Sequence, residues 1–132
     1  MKLVLGVIFT FLAFNSYACS CRTDIDSFYD NAKSAHLITV TSAILKDEYV
    51  EVKFDVIENL LNKKKPPDSV KIKNNNCSLQ LYPGNDYLVF IPKEDQFENT
   101  VNMCTGIYPL NLYKPKDIEK IGEIKKYIKR RE

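Results

Sequence analysis

Histidine is almost missing from this chain: His36 is the only one among 132 residues. A mechanism needing two imidazoles is thereby excluded, which removes the HExxH zinc helix and any histidine-rich metal cage. Glycine is nearly as scarce, at four residues. Neither GxGxxG nor GxxxxGKS/T occurs, so a phosphate-cradling loop is not expected. No sign of charge dominates. Nineteen Lys and Arg stand against seventeen Asp and Glu, and a net charge of +2 is too small to imply a polyanionic partner. After the first residues, no apolar run approaches membrane-spanning length. No nucleophile–base pair and no carboxylate dyad stands out, so neither an enzyme nor a cofactor is expected.

What is present is an ordinary globular composition, 45% hydrophobic and 27% charged, over a length that suits one domain. The strongest signals are the first eighteen residues and the four cysteines. Lys2 gives a short positive start, and residues 3–14 (LVLGVIFTFLAF) form an uncharged, largely apolar run. That run is too short for a bilayer core of roughly 30 Å but suits the apolar region of a signal peptide. Ser16 and Ala18 place small residues at −3 and −1 of a cut after Ala18. Residues 1–18 are therefore expected to be a signal peptide, and residues 19–132 the mature domain, secreted or periplasmic. A cysteine directly after the cut is also where a lipoprotein is acylated. Lipoboxes usually place Leu at −3, where this chain has Ser16, so ordinary cleavage is expected and lipid anchoring at Cys19 is the alternative.

Export makes two disulfides the natural reading of Cys19, Cys21, Cys77 and Cys104. In an extended segment the Cβ atoms of Cys19 and Cys21 lie roughly 6–7 Å apart. A disulfide needs about 3.5–4.5 Å. Each therefore reaches a distant partner, Cys77 or Cys104, in either arrangement. Each long loop so closed would stabilise by roughly 4 kcal/mol. A zinc site of four thiolates would show paired spacing, and Cys77 and Cys104 stand alone. Chain termini normally fray, whereas this one would be stapled at its first and third mature residues.

The spacing of Ile25, Phe28, Ala32 and Ala35 predicts a helix over 24–35, capped by Thr23 or Asp24. Strands are expected at 37–45, 49–57, 69–73, 86–91 and 100–104. In the second, Val50, Val52, Phe54 and Val56 share one face. The fourth (DYLVFI) is apolar on both faces and should be central and covered. Tyr82-Pro83-Gly84-Asn85 reads as a turn. After Pro115, residues 117–131 predict an amphipathic helix with Ile118, Ile121, Ile124 and Ile128 on its apolar edge and a basic last turn matching the helix dipole. Mainly β, with five short strands and a helix at each end, the chain suggests a small OB-like barrel. The strand count alone also fits a sandwich.

The pattern resembles the tissue inhibitors of metalloproteinases (TIMPs) and the wider netrin-like domains, in particular small bacterial TIMP-like proteins. The matching residues are Cys19-Ser20-Cys21 after the signal cut, residues 28–37 (FYDNAKSAHL), Val52-Lys53-Phe54-Asp55-Val56, Cys77-Ser78-Leu79, Tyr82-Pro83-Gly84, Tyr87-Leu88-Val89-Phe90 and Cys104-Thr105-Gly106. The resemblance implies an OB-like barrel with flanking helices and the pairing Cys19–Cys77 and Cys21–Cys104. It also implies a role. The α-amine and carbonyl oxygen of Cys19 chelate a target metalloendopeptidase's catalytic zinc, and Ser20 points into the primary specificity pocket. Two departures are visible: cysteines for the family's third disulfide are missing, and Arg22 puts a charge where an uncharged residue is usual.

Netrin-like domains also serve as binding or structural modules that inhibit nothing, so a non-inhibitory exported module, lipid-anchored at Cys19 or not, is the alternative function. A monomer is expected, with no nucleic-acid partner. The C-terminal Lys/Arg cluster reads as the solvated end of a helix, and His36 as a partly buried structural residue at the start of a strand.

Overall fold

The structure is a computed structural model that describes residues 21, 24–61, 65–73, 80–93, 99–102 and 104–132. Its elements in chain order are α1 (Ile25–Asn31), β1 (Ala32–Lys46), β2 (Tyr49–Leu61), β3 (Ser69–Lys73), β4 (Asp86–Pro92), β5 (Ile107–Leu110) and α2 (Pro115–Arg131). The strands form one antiparallel sheet in the order β3-β2-β1-β4-β5. The β3 edge is met by residues 99–101, which precede β5. Lys71 of β3 makes a parallel bridge to Thr100, with its N–H donating to the Asn99 carbonyl at 2.9 Å and its carbonyl accepting from Val101 N–H at 2.9 Å. The protein is thus mainly β, a small OB-like barrel of five strands with one helix before it and one after.

The period-2 alternation of the strands sorts their side chains into two cores. Ile38, Val40, Val52, Val70, Ile72, Tyr87, Val89 and Ile91 pack inside the sheet's curve, joined by Val101 and Ile107. Ala35, Leu37, Leu88 and Phe90 point the other way, under Phe28 of α1 and Ile121, Ile124 and Ile128 of α2. This is why β4 is apolar on both faces: one face lines the barrel and the other is roofed by helices. Val50, Phe54 and Val56 join Val52 on the inner side, as their spacing predicts.

Four expectations need correction. The first helix stops at Asn31, four residues early, because Ala32 and Ala35 are recruited into β1 by pairing with Pro92 and Phe90. Tertiary pairing here overrides a helical stripe. Two strands are long, 15 and 13 residues, and β1 pairs with β2 through irregularities at Ala35/His36, Leu37/Ile38 and Val40/Ser42 and with β4 through one at Ala32/Ser34. Such bulges supply the bending a small barrel needs. The last strand is not 100–104. Residue 100 gives only the closing bridge, residues 104–105 are a turn, and β5 follows at 107–110 with Pro109 tolerated because it pairs on one side only. Finally, Ile118 is 54% exposed, since only Ile121, Ile124 and Ile128 of its stripe lie over the sheet.

Candidate functional site at the stapled end

Cys21 and Cys104 form a disulfide, with Cα atoms 5.3 Å apart and 83 residues between them in sequence. Cys19, Ser20 and Cys77 lie outside the described residues, as does the expected signal segment. The expected Cys19–Cys77 bridge and the Cys19 chelating pair therefore have no geometry here.

Cys104 sits in a turn wired to itself. Its N–H donates to Asn102 Oδ1 at 2.7 Å, Asn102 N–H to Thr105 Oγ1 at 2.9 Å, and Thr105 N–H to the Asn102 carbonyl at 3.1 Å. Two residues on, the Gly106 carbonyl accepts from Phe90 N–H at 2.8 Å, which hangs the turn from β4. On the other side of the bridge, Asp24 caps α1 by accepting from Ser27 N–H at 3.1 Å. Phe28 anchors the helix, its ring centroid 5.9 Å from Phe90 and 5.6 Å from Tyr108. Lys93 N–H closes the far end on the Asn31 carbonyl at 2.7 Å.

A second clamp comes from the C-terminus. Arg131 reaches Asp30 at 2.6 Å and Asp26 at 3.4 Å, and its guanidinium lies 4.9 Å from the Tyr29 ring centroid. Tyr127 donates to Asp26, and that hydrogen bond holds its phenol above the usual tyrosine range, with desolvation adding to the effect. Burial first, and then the Asp24 charge, also raise Tyr108. Cation, carboxylates and rings thus join α2's last turn to α1. The polypeptide from Cys21 to Asn31 is tied to the body at its start, middle and end. The sequence contained one hint of this clamp: Asp26/Asp30 and Tyr127/Arg131 are both i,i+4 pairs. Which helices meet was not readable from spacing.

His36 is far more buried than expected, at 1% exposure. It pairs with Val89, and Ser34 with Ile91, which puts both on the inner face. Ser34 Oγ lies 2.9 Å from Nε2, and Asn59 Oδ1 lies 2.7 Å from Nδ1. The amide oxygen can only accept, so Nδ1 carries the proton and Nε2 accepts from the serine. Hydroxyl, imidazole and amide resemble a catalytic relay, but Ser34 and His36 are both closed off inside the barrel. The network fixes the strands.

Burial lowers the His36 pKa below 6.5, against a smaller raising effect of the Asn59 hydrogen bond. The folded state therefore binds fewer protons than the unfolded chain near neutrality. The stability that neutral His36 supports is present above about 6.5 and is lost as pH falls from there toward the folded value. Denaturant midpoints between pH 7.5 and 5 should fall more steeply for the native protein than for a His36→Gln variant. Parallel curves would show that His36 does not titrate in this way.

No protein-family model and no curated protein matches this chain. The site must be read from its own residues. Among those described, no cluster of three or more His, Cys, Asp or Glu is placed to hold a metal ion. No described helix is long and apolar enough to cross a membrane.

Proposed function

We propose that this chain is an exported, monomeric, TIMP-like inhibitor of zinc metalloendopeptidases. The α-amino nitrogen and carbonyl oxygen of Cys19 close a five-membered chelate on the target's zinc, and Ser20 enters the target's specificity pocket. Such a zinc holds three protein ligands and keeps one position open for the reacting water. A backbone chelate in that position displaces the nucleophile. The metal belongs to the target throughout.

The Cys21–Cys104 bridge is the observation that carries this reading. It holds a residue two positions from the expected first one, and the segment after it is fixed by Phe28 and by the Arg131 clamp. A ligand ordered before binding loses less entropy on binding. An α-amine ordinarily titrates at about 7.7–8.0 and must be unprotonated to coordinate, so inhibition should weaken as pH falls below that range.

The test is chemical blockade of one atom. Acetylating the Cys19 amine, or adding one residue before it, should abolish inhibition of a zinc endopeptidase that the native form inhibits, without changing the melting temperature. Equal inhibition by either altered form would overturn the chelation. A native form that inhibits no member of a panel of zinc endopeptidases would favour the non-inhibitory module.

A further inference from the structure

Beside the stapled end runs a groove of about 870 Å³ between the start of α1, β5 and one side of α2. Its floor is Ile25, Tyr108, Ile124 and Tyr127. Its rim is cationic at both ends: Lys120 at one, Lys126, Lys129 and Arg130 at the other, with Glu123 the single carboxylate among the lining residues. We propose that this groove binds an extended peptide segment of a partner protein, apolar in its middle and acidic at both ends.

Charge complementarity is the first argument. Lys126, Lys129 and Arg130 have no ion-pair partner among the described residues, in contrast to their neighbours Lys125 and Arg131. Cations in a last turn complement the helix dipole, but Lys120 lies in the first half of α2, where the dipole gives no reason for it. There its ammonium stands 4.3 Å from the Tyr108 ring centroid, over the groove floor. Dimensions are the second argument. Positions 120 to 130 of a helix span ~15 Å, which an extended peptide covers in about five residues. Alternate side chains of such a peptide point the same way, so two apolar groups can enter the floor while flanking carboxylates reach the two cationic ends.

Shape separates this occupant from other anions. A membrane-binding face presents apolar side chains outward among its cations. Here Ile124 is recessed, at 7% exposure, and the cations surround a concavity. A fatty acid has one charged end, and the groove has cations at two.

The experiment is a fluorescence-anisotropy titration of the full mature protein with a tagged peptide Glu-Glu-Leu-Ser-Leu-Glu-Glu. Saturable binding is expected. It should be at least about tenfold weaker when Ser replaces both Leu, when Lys replaces every Glu, and in a K120E/R130E variant of unchanged circular dichroism. It should also weaken with added salt. Absence of binding, equal binding of the Ser-substituted peptide, or undiminished binding by the variant would overturn the proposal. So would co-sedimentation with phosphatidylglycerol vesicles in place of peptide binding. The assay contains no protease, so its outcome is independent of the chelation reading.

Discussion

Replacing both Cys21 and Cys104 with serine should lower the unfolding free energy by about 4–5 kcal/mol. The bridge closes a loop of 83 residues, and on the chain-entropy model a loop of that size restricts the unfolded state by about this amount. Single domains are stable by only about 5–15 kcal/mol. The loss should therefore appear as a fall in melting temperature on the order of 15 °C. Double replacement avoids leaving a reactive thiol. A second consequence separates this effect from a general loss of structure. The bridge tethers the segment that leads into α1, so amide exchange should quicken first in α1 and in the 102–106 turn, before the inner strands. A variant that melts within a few degrees of the native protein, with unchanged exchange in α1, would show that the bridge does not hold this end.

Gly106→Ala should be nearly as damaging, at about 2–5 kcal/mol. Gly106 has φ +101°, a region residues with a side chain rarely enter, and occupying it costs them about 1–2 kcal/mol. A Cβ there would sit 2.9 Å from Cγ of Phe28 and 3.0 Å from Cδ2 of Phe90. Both rings are closed in, at 3% and 0% exposure, so neither can swing aside. Overpacking of a filled core adds about 1–3 kcal/mol. The two contributions can be separated. In a Phe28→Leu background the clash should shrink while the backbone strain remains, so a double-mutant cycle should give a coupling of about 0.5–3 kcal/mol. A cycle with no coupling would mean that the rings are not what excludes a side chain. Because Gly106 lies two residues from Cys104, the same substitution should disturb the staple.

Much of the barrel could be read directly because each strand face answers to one neighbour. Val50, Val52, Phe54 and Val56 alternate cleanly against a single interior, and the doubly apolar 86–91 run could only be central. The failures share a cause. Ala32 and Ala35 fit a helical stripe and a strand equally well, and pairing with β4 decided between them. β5 was hidden by Pro109 and by four residues of mixed character, while the preceding 100–104 segment had the β-rich composition but carries the bridge and turn. His36 is structural, as its position suggests, but more deeply buried, because its partner Asn59 reaches it only across paired strands. At the site, Cys21 and Cys104 were legible as partners through family resemblance, whereas elimination left two pairings open. Gly106 and Arg131 were missed, since a steric limit and an interhelical clamp exist only once the elements are assembled.

The most direct measurement is made on the protein recovered from the cells that produce it: intact mass, followed by non-reducing peptide mapping and sequencing from the first residue. Two sulfur bridges and a free leading amine are the physical requirement for presenting Cys19 to a foreign zinc. The mature form is predicted to begin at Cys19, unacylated, with its sulfur joined to Cys77 and Cys21 joined to Cys104. A different first residue, a lipid on Cys19, or an unpaired Cys19 thiol would contradict it.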